Sequence, residues 1–350
     1  MDKQKVIISE QMEQVLSKEI GLCKADRIFI LTDKTTQGLC LPLVKDYACL
    51  QEARNIAIEA GDTNKTLDSV VHVWGELQHM GATRHSLLIN LGGGMVTDLG
   101  AFAASTFKRG ISIINIPTTL LSMVDASVGG KTGFNFGGLK NEIGVFRNAD
   151  CVILDTVFLK TMDEENILSG YAEMLKHGLI STEAHWAELM NFNIDNPDLK
   201  ELGDLVAKSV QVKEHIVTED PTEKGIRKAL NLGHTVGHAF ESLALQRKPV
   251  LHGYAVAWGL VCELYLSVTK SGFPVEKMRQ MTRFIFDHYG RMSITCDDYP
   301  TLLDLMTHDK KNIGTSINFT LLGGIGDIRI NQTATKEEIE EALDFYREGC

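Results

Sequence analysis

Three of the eleven histidines lie within nineteen residues of one another and are candidate metal ligands. His234 and His238 are four residues apart, which puts them on one face of a helix, and His252 follows in the triplet Leu-His-Gly. Glu173 lies one helical turn before Lys176, and apolar neighbours on both sides indicate that the two charges point into a cleft. The cluster predicts a divalent metal site; the alternative is a set of structural histidines.

A run of three glycines, residues 92–94, follows a strand-like segment and precedes a helix-like one. Glycines let the backbone approach a ligand closely, and a helix N-terminus presents free N–H groups to a phosphate. The order indicates a pyrophosphate site, although it is neither GxGxxG nor a Walker A loop; a tight turn without a ligand is the alternative. Asp98 in the first helical turn would repel a phosphate, so we expect it to bond a hydroxyl or an amide. Thr118 and Thr119 end the next strand and offer two hydroxyls at the same edge.

The chain is acidic overall, yet it gathers basic residues beside glycines and histidines. Its formal net charge of −11 disfavours nucleic acid as a partner. The basic positions, with two asparagines, are Lys131, Lys140–Asn141, Lys213, Arg227 with Asn231, and Lys310–Lys311. Each alone is a solvated charge, but together they indicate a small polyanionic substrate.

Composition and hydropathy are those of a globular enzyme. Apolar residues make up 44% and charged residues 23% of the 350. No run approaches the roughly 18 apolar residues of a membrane span, and the N-terminus resembles no secretory signal. Seven scattered cysteines, never spaced as CxxC, indicate reduced thiols and a cytoplasmic protein.

The order of elements predicts two domains. Strands are expected at 27–32, 86–91 and 111–116, with helices at 66–80 and 96–108, which favours an α/β domain with a parallel sheet. From about residue 163 the pattern becomes helical, at 165–179, 202–217, 228–245, 254–271 and 275–289, with a late strand at 316–322. We therefore expect an α/β nucleotide-binding domain at 1–162 and a mostly helical metal- and substrate-binding domain at 163–350.

Taken in order, the motifs resemble those of the 3-dehydroquinate synthase family, within the sugar phosphate cyclases. The matching segments are GGGMVTD (92–98), KRGI (108–111), PTTLL (117–121), VDASVGGKT (124–132), KNEIG (140–144), YAEMLK (171–176), LNLGHTVGHAFE (230–241), LHG (251–253) and DKK (309–311). The resemblance implies a dehydroquinate synthase-like fold and a carbon–oxygen lyase of the shikimate pathway, in aromatic amino acid and chorismate biosynthesis. It would convert 3-deoxy-D-arabino-heptulosonate 7-phosphate to 3-dehydroquinate and phosphate by transient oxidation with NAD, elimination, reduction and aldol closure.

The resemblance also implies cofactors and their ligands. The metal, Zn²⁺ or Co²⁺, would be held by Glu173, His234 and His252, which replaces the i, i+4 pair because His238 matches a substrate-phosphate residue. NAD⁺ would bind at fourteen positions: Asp33, Asp62, Lys65, Gly93, Gly94, Met95, Val96, Asp98, Thr118, Thr119, Lys131, Lys140, Phe158 and Thr161. Asp62 stands where the family usually has Glu, and Tyr254 is a second departure of the same kind.

The remaining matched positions are assigned to the substrate. The resemblance implies catalytic roles for Lys131, Lys176, Lys213, Arg227, Asn231 and His238, and substrate binding by Asp125, Asn141, Lys310 and Arg109. Lys131, Lys213, Arg227 and Asn231 would serve the carboxylate, and Asn141, Lys176, His238 and Lys310 the phosphate. Arg109, expected at the far end of the helix that the glycines open, would reach the phosphate of a neighbouring subunit, which implies a homodimer.

Three alternative functions remain compatible with this architecture. Another sugar phosphate cyclase would act on a substrate without the carboxylate. A metal-dependent NAD polyol dehydrogenase would accumulate NADH. A protein that only senses NAD would need neither the metal ligands nor the basic residues, and this sequence has both.

Overall fold

The computed structural model describes residues 4–308 and 317–349. Within these ranges the chain divides into two compact units. The first runs to Asp163 and adds Leu199–Val210; the second comprises Glu164–Asp198 and the chain from Gln211 onward. The predicted domain limits at 162/163 stay a prediction.

The first unit is built on a six-stranded parallel sheet. Its strands are β1 (Val6–Ile8), β2 (Ile28–Asp33), β3 (Arg54–Ile58), β4 (Leu87–Gly92), β5 (Ser112–Pro117) and, after a hairpin, β8 (Cys151–Leu154). Their order is β1-β8-β5-β4-β2-β3, and every neighbouring pair is parallel. Because both faces are covered, β4 is buried along its whole length. The predicted parallel sheet is confirmed, with the three expected strands each displaced by one residue.

Four helices belong to the sheet and its loops. They are α1 (Met12–Cys23), α2 (Lys34–Leu39), α3 (Leu67–His79) and α4 (Gly94–Thr106). The helix α3 is capped by Thr66, whose hydroxyl accepts from the Ser69 N–H at 3.4 Å. The helix α4 is largely buried, in keeping with its run of small and apolar residues.

The chain leaves α4 earlier than the sequence predicts. The helix ends at Thr106, and Lys108 (φ 49°) and Arg109 (φ 68°) both adopt the left-handed conformation. Two successive non-glycine residues in that region cannot continue a right-handed helix. The expectation that Arg109 lies within the helix is therefore wrong; it lies in the exposed segment that follows.

A β-hairpin that the sequence did not reveal follows β5. Its strands are β6 (Lys131–Phe136) and β7 (Leu139–Phe146), paired antiparallel. The connecting Gly137 and Gly138 both have positive φ, as a tight two-residue hairpin turn requires. The hairpin carries Lys131, Lys140 and Asn141.

The second unit is mostly helical. Its helices are α5 (Glu164–Leu179), α6 (Glu183–Asn191), α7 (Leu199–Glu219, whose first half belongs to the first unit), α8 (His234–Leu245), α9 (His252–Ser271), α10 (Val275–Tyr289), α11 (Tyr299–Thr307) and α12 (Lys336–Glu348). A β-hairpin, β9 (Asn318–Gly324) with β10 (Asp327–Thr333), packs among these helices. None of the helices in the described ranges is long and apolar enough to cross a membrane.

The long helix expected at 228–245 is wrong in its first part. Residues Ile226–Asn231 form a separate 3₁₀ turn, and α8 begins only at His234. Gly233 between them has φ 79°, which interrupts the helical path. Because of this break, His234 is the first residue of α8.

Candidate active site

The predicted nucleotide residues lie at the carboxyl ends of three adjacent strands. Asp33 ends β2, glycines 92–94 join β4 to α4, and Thr118–Thr119 follow β5. Open parallel sheets bind ligands at this edge. The glycines and threonines therefore lie at the edge of the sheet where a nucleotide is expected to bind.

The start of α4 is open to an anion. Gly93 occupies the N-cap position in an extended conformation, and no side chain in the described ranges caps the helix. The methyl group of Thr119 lies opposite: a Cβ built on Gly93 would be 3.2 Å from Thr119 Cγ2. The first-turn N–H groups of a helix and the positive end of its dipole both favour a phosphate.

Lys65, a predicted cofactor residue, contacts two others of the predicted site, Asp98 and Asn141. Its ammonium, on a side chain only 4% exposed, lies 2.6 Å from Asp98 Oδ2 and donates to Asn141 Oδ1 at 2.5 Å. The expectation that Asp98 lies in the first turn of α4 is wrong, because the helix begins at Gly94 and Asp98 is therefore its fifth residue. The sequence predicts a hydroxyl or an amide as the partner of Asp98. In the structure, the Lys65 ammonium is a partner of this carboxylate.

The other predicted NAD positions have local structural roles. Asp33 caps α2, accepting from Thr36 N–H at 2.7 Å. Asp62 lies 3.5 Å from Lys140 Nζ. The Thr161 hydroxyl donates to the carbonyl of buried Phe158 at 2.7 Å. Met95 and Val96 form the first turn of α4, and Asp125 and Lys131 lie before and within the β6–β7 hairpin. The roles predicted for these residues, in binding substrate for Asp125 and in binding NAD for the others, stay predictions.

In the second unit, three helices bring Glu173, His234 and His252 together. Glu173 is in the middle of α5 and fully buried, whereas the histidines are the first residues of α8 and α9. Glu173 Oε1 lies 3.3 Å from His234 Nε2 and 3.6 Å from His252 Nε2. The other oxygen of this carboxylate, Oε2, contacts the Lys176 ammonium, so Oε1 is the oxygen that faces both imidazole rings. A divalent cation fits such a carboxylate and two facing imidazole nitrogens.

The far side of each imidazole ring is held by an acceptor. His234 Nδ1 lies 3.1 Å from the Leu232 carbonyl, and His252 Nδ1 lies 3.4 Å from Glu241 Oε2. A proton on Nδ1 leaves the Nε2 lone pair pointing toward Glu173. Carbonyl and carboxylate partners of this kind orient the histidine ligands of metal sites.

Charges around Glu173 explain how it remains ionised while buried. Burial raises the pKa of the Glu173 carboxyl, but Lys176, in direct contact, and His234 hold it well below its usual range. Burial lowers the pKa of His234 to about 4, so its ring is neutral at pH 7. For His252, burial is outweighed by Glu173 and Glu241, which raise its pKa to about 10. A proton on His252 therefore competes with a metal ion for this site.

His238 forms a second possible ligand set with the same two histidines. One ring nitrogen from each of His234, His238 and His252 lies within 4.8 Å of the others. His238 is one turn along α8 from His234, with 5.3 Å between the ring centroids. His234 and His252 are common to both sets, so the question is whether Glu173 or His238 completes the site.

Backbone contacts set the spacing of the three helices. A Cβ on Gly253 would lie 1.9 Å from the Ser169 carbonyl oxygen, so α9 begins directly against α5. A Cβ on Gly259 would lie 2.0 Å from the Gly233 carbonyl oxygen, so α9 also touches the start of α8. Side chains on these glycines would push the ligand-bearing helices apart.

Two of the predicted substrate cations are almost completely buried. Lys176 is 1% exposed and donates to the Leu230 carbonyl at 2.9 Å; Arg227 is 2% exposed and donates from Nη1 to the Pro221 carbonyl at 2.8 Å. Lys213 is also buried, and Asn231 donates to Glu223 at 3.0 Å. Buried cations favour anionic neighbours, and Lys176 already has one in Glu173. Lys310 lies outside the described residues.

Glu241 and Glu263 were missed by the reasoning from sequence. Glu241 ends the segment LNLGHTVGHAFE, and Glu263 is the only acidic residue in the apolar stretch 255–264. An acidic residue isolated among apolar ones in a buried helix was the available signal. The departure at Tyr254 is absorbed by packing, since its ring lies edge-on to Trp258 and Tyr289.

Fold and site together define a class of protein: an enzyme with a nucleotide-type α/β unit and a helical unit that carries a carboxylate–histidine cluster. Family models agree in detail. The 3-dehydroquinate synthase N-terminal model matches residues 55–169, and the C-terminal model matches residues 170–312. The chain belongs to the 3-dehydroquinate synthase family.

Individual relatives support this membership. The chain is 56% identical over 350 residues to a 3-dehydroquinate synthase of Parabacteroides distasonis, covering 100% of this chain and 99% of the relative. It is 39% identical over 321 residues to a 3-dehydroquinate synthase of Pyrococcus furiosus, covering 90% and 92%.

Solved structures share the fold. A 2-epi-5-epi-valiolone synthase of Streptomyces hygroscopicus subsp. jinggangensis, with NAD⁺ and Zn²⁺ bound, superposes with a TM-score of 0.87 at 24% identity, covering 99% of this chain and 98% of that one. A 2-deoxy-scyllo-inosose synthase complexed with carbaglucose-6-phosphate, NAD⁺ and Co²⁺ gives a TM-score of 0.86 at 22% identity, covering 99% and 96%. The predicted fold class is confirmed.

Proposed function

We propose that this chain is a carbon–oxygen lyase that converts 3-deoxy-D-arabino-heptulosonate 7-phosphate to 3-dehydroquinate and phosphate. The observation that carries the proposal is the full-length identity of 56% with a curated 3-dehydroquinate synthase. The convergence of Glu173, His234 and His252 in the second unit supports it, since it supplies the metal ligands that the family resemblance implies. The activity belongs to the shikimate pathway and thus to aromatic amino acid biosynthesis.

NAD⁺ and Zn²⁺ or Co²⁺ are the proposed cofactors, the one supplying a reversible hydride acceptor and the other polarising the oxygens that are oxidised. The residues that would hold them are described above. The N-terminus of α4 would bind the pyrophosphate. Glu173 would bind the metal together with His234 and His252, whose Nδ1 atoms already have acceptors.

Buried basic residues would make the enzyme specific for the proposed substrate. Arg227, with a guanidinium suited to a planar carboxylate, would bind the carboxylate end together with Lys213 and Asn231. Lys176 and His238 would bind the phosphate end. A cyclase for a substrate without the carboxylate has no use for a buried Arg227, which favours the heptulosonate over that alternative.

The test is a single assay with two readouts. The protein is supplied with the heptulosonate phosphate, Co²⁺ and catalytic NAD⁺, and both phosphate release and absorbance of NADH are followed. We expect many phosphates released per NAD⁺ and no accumulation of NADH. Stoichiometric NADH would identify a polyol dehydrogenase, and preference for a heptulose 7-phosphate without the carboxylate would identify another cyclase.

The proposal includes a homodimer whose active sites receive Arg109 from the neighbouring subunit. Arg109 is exposed, and both Arg109 and Lys108 have a left-handed backbone conformation, which costs about 1–3 kcal/mol per residue. Phe136, Leu139 and Phe146 of the β6–β7 hairpin are 51%, 56% and 48% exposed. An exposed apolar hairpin of this kind is suited to burial against a second copy.

A mixing experiment tests this arrangement. Arg109→Ala and Lys213→Ala are expected to be inactive alone. After exchange of subunits, random pairing should restore about a quarter of all sites, because each mixed dimer regains one intact site. Subunits that exchange, followed by labelled chains, without any return of activity would contradict a role for Arg109 across the interface.

We also propose a cytoplasmic location. The six cysteines in the described ranges are free, as expected for a reducing compartment. Fractionation of cells that produce the full chain from its own gene would test this, and recovery from a secreted or membrane fraction would contradict it.

A further inference from the structure

The start of α8 is capped by a carboxylate from another helix. Gly233, at the N-cap position, has no side chain with which to bind the first N–H groups of the helix. Glu263, from the middle of α9 and 0% exposed, takes that role. Its Oε2 accepts from Gly233 N–H at 2.6 Å, and its Oε1 accepts from Thr235 and Val236 N–H at 2.9 and 3.1 Å.

This cap holds the backbone on both sides of His234. The three N–H groups that it binds belong to the residue before His234 and to the two residues after it. The carbonyl of Leu232, which fixes the His234 ring through Nδ1, immediately precedes the capped segment. Displacement of the cap would therefore reorient the imidazole and not merely loosen a helix end.

The charge of Glu263 matters as much as its hydrogen bonds. His234 is the first residue of α8, where the helix dipole places about half a positive charge. A divalent cation bound by His234 would be repelled by that charge. A carboxylate at the same helix end offsets that charge, and Glu263 is placed there by its three backbone hydrogen bonds.

We propose that Glu263 is a positioning residue for the metal: it fixes the start of α8 and cancels its positive end, so that His234 can bind a divalent cation. The inference rests on the metal site of the proposed function. Glu263 acts through His234 and is not itself one of the proposed metal ligands.

The test compares three variants of the full chain by titration with Co²⁺. Glu263→Gln removes the charge and places an amide N–H₂ against backbone donors; Glu263→Asp keeps the charge but shortens its reach. Glu19→Gln is the matched control, because Glu19 is also a buried carboxylate but pairs with Lys5 at 2.7 Å in the first unit. Affinity is measured by competition with a chromophoric chelator, and geometry by the visible absorption of bound Co²⁺.

We expect Glu263→Gln to bind Co²⁺ about 10- to 100-fold more weakly with an altered visible spectrum. Glu263→Asp should show a smaller loss, and Glu19→Gln should lower the unfolding temperature without changing the affinity for Co²⁺. A folded Glu263→Gln that binds Co²⁺ as tightly as the parent would overturn the proposal. If that variant does not fold, unchanged affinity and spectrum in Glu263→Asp would overturn it. A parent protein that binds no Co²⁺ would instead refute the metal site itself.

Discussion

The helices α4 and α8 begin alike, yet their surroundings suit ions of opposite charge. Each has a glycine at the N-cap position and no capping side chain of its own. The start of α4 lies at the carboxyl edge of the sheet without a capping side chain, whereas Glu263 binds three N–H groups at the start of α8. A helix start with a glycine N-cap thus suits an anion in one unit and a cation in the other. The difference comes from one carboxylate on a distant part of the chain.

The largest expected effect tests whether the α8 start is a cation site. His234→Ala should retain no stoichiometric metal, because a three-ligand site loses most of its affinity with one ligand removed. His238→Ala should keep the metal and lose turnover. Metal analysis of the purified variants decides between the two ligand sets: loss of metal from His238→Ala with retention by Glu173→Ala would assign it to the three histidines.

The next largest effect would make the α4 start resemble that of α8. Gly93→Asp places a carboxylate at an N-cap whose extended backbone accepts it. Like charges at the phosphate site cost several kcal/mol, so NAD⁺ should bind more than about 100-fold more weakly. Gly93→Ala adds the same Cβ without the charge and should cost less than about tenfold. Calorimetric titration with NAD⁺ measures both, and equal losses would argue that the α4 start binds no phosphate.

A smaller effect concerns the buried lysine beside α4. Lys65→Met removes the ammonium that pairs with Asp98. The negative charge of Asp98 is then no longer offset by this lysine, so it repels a bound phosphate more strongly. A hydrogen bond to a charged group contributes about 1.5–3 kcal/mol, so we expect NAD⁺ affinity to fall by about tenfold or more. Lys34→Met, which breaks an exposed pair with Glu59, is the control and should leave binding unchanged. Equal affinity in both variants would remove Lys65 from the nucleotide site.

The smallest effect distinguishes the two carboxylates near the metal histidines. Glu241→Gln removes a 3.4 Å contact with His252 Nδ1, a longer bond than those that Glu263 makes. We expect Co²⁺ affinity to fall by no more than about tenfold. Glu338→Gln, on the exposed pair with Lys270, is the control. A loss exceeding that of Glu263→Gln would show that orientation of His252 outweighs the cap on α8.

Local patterns predicted the elements well where one periodicity runs unbroken. The helix expected at 275–289 has those bounds, and β2, β4 and β5 are displaced by a single residue. The prediction failed where a backbone conformation interrupts the pattern, at Gly233 and at Lys108–Arg109. The period of the apolar residues indicates which face of an element is buried, but it does not indicate where a residue adopts a left-handed backbone conformation.

The site residues were predictable in identity but not in their supports. Motifs and the family resemblance named Glu173, His234 and His252, and the structure brings them together. Glu263 is thirty residues from Gly233 along the chain, so its role depends on how α9 packs against α8. Such long-range contacts leave no local signal beyond an acidic residue in an apolar stretch.

The glycine contacts of α9 have a consequence for how this site can evolve. Side chains at an interface absorb small displacements by changing rotamer, but backbone atoms in direct contact cannot. At Gly253 and Gly259, α9 touches the backbones of α5 and α8 with no side chain between them. The separation of the three ligand-bearing helices is therefore a property of the main chain. It is inherited with the fold, and substitutions elsewhere on these helices can alter the chemistry around the site while its dimensions stay fixed.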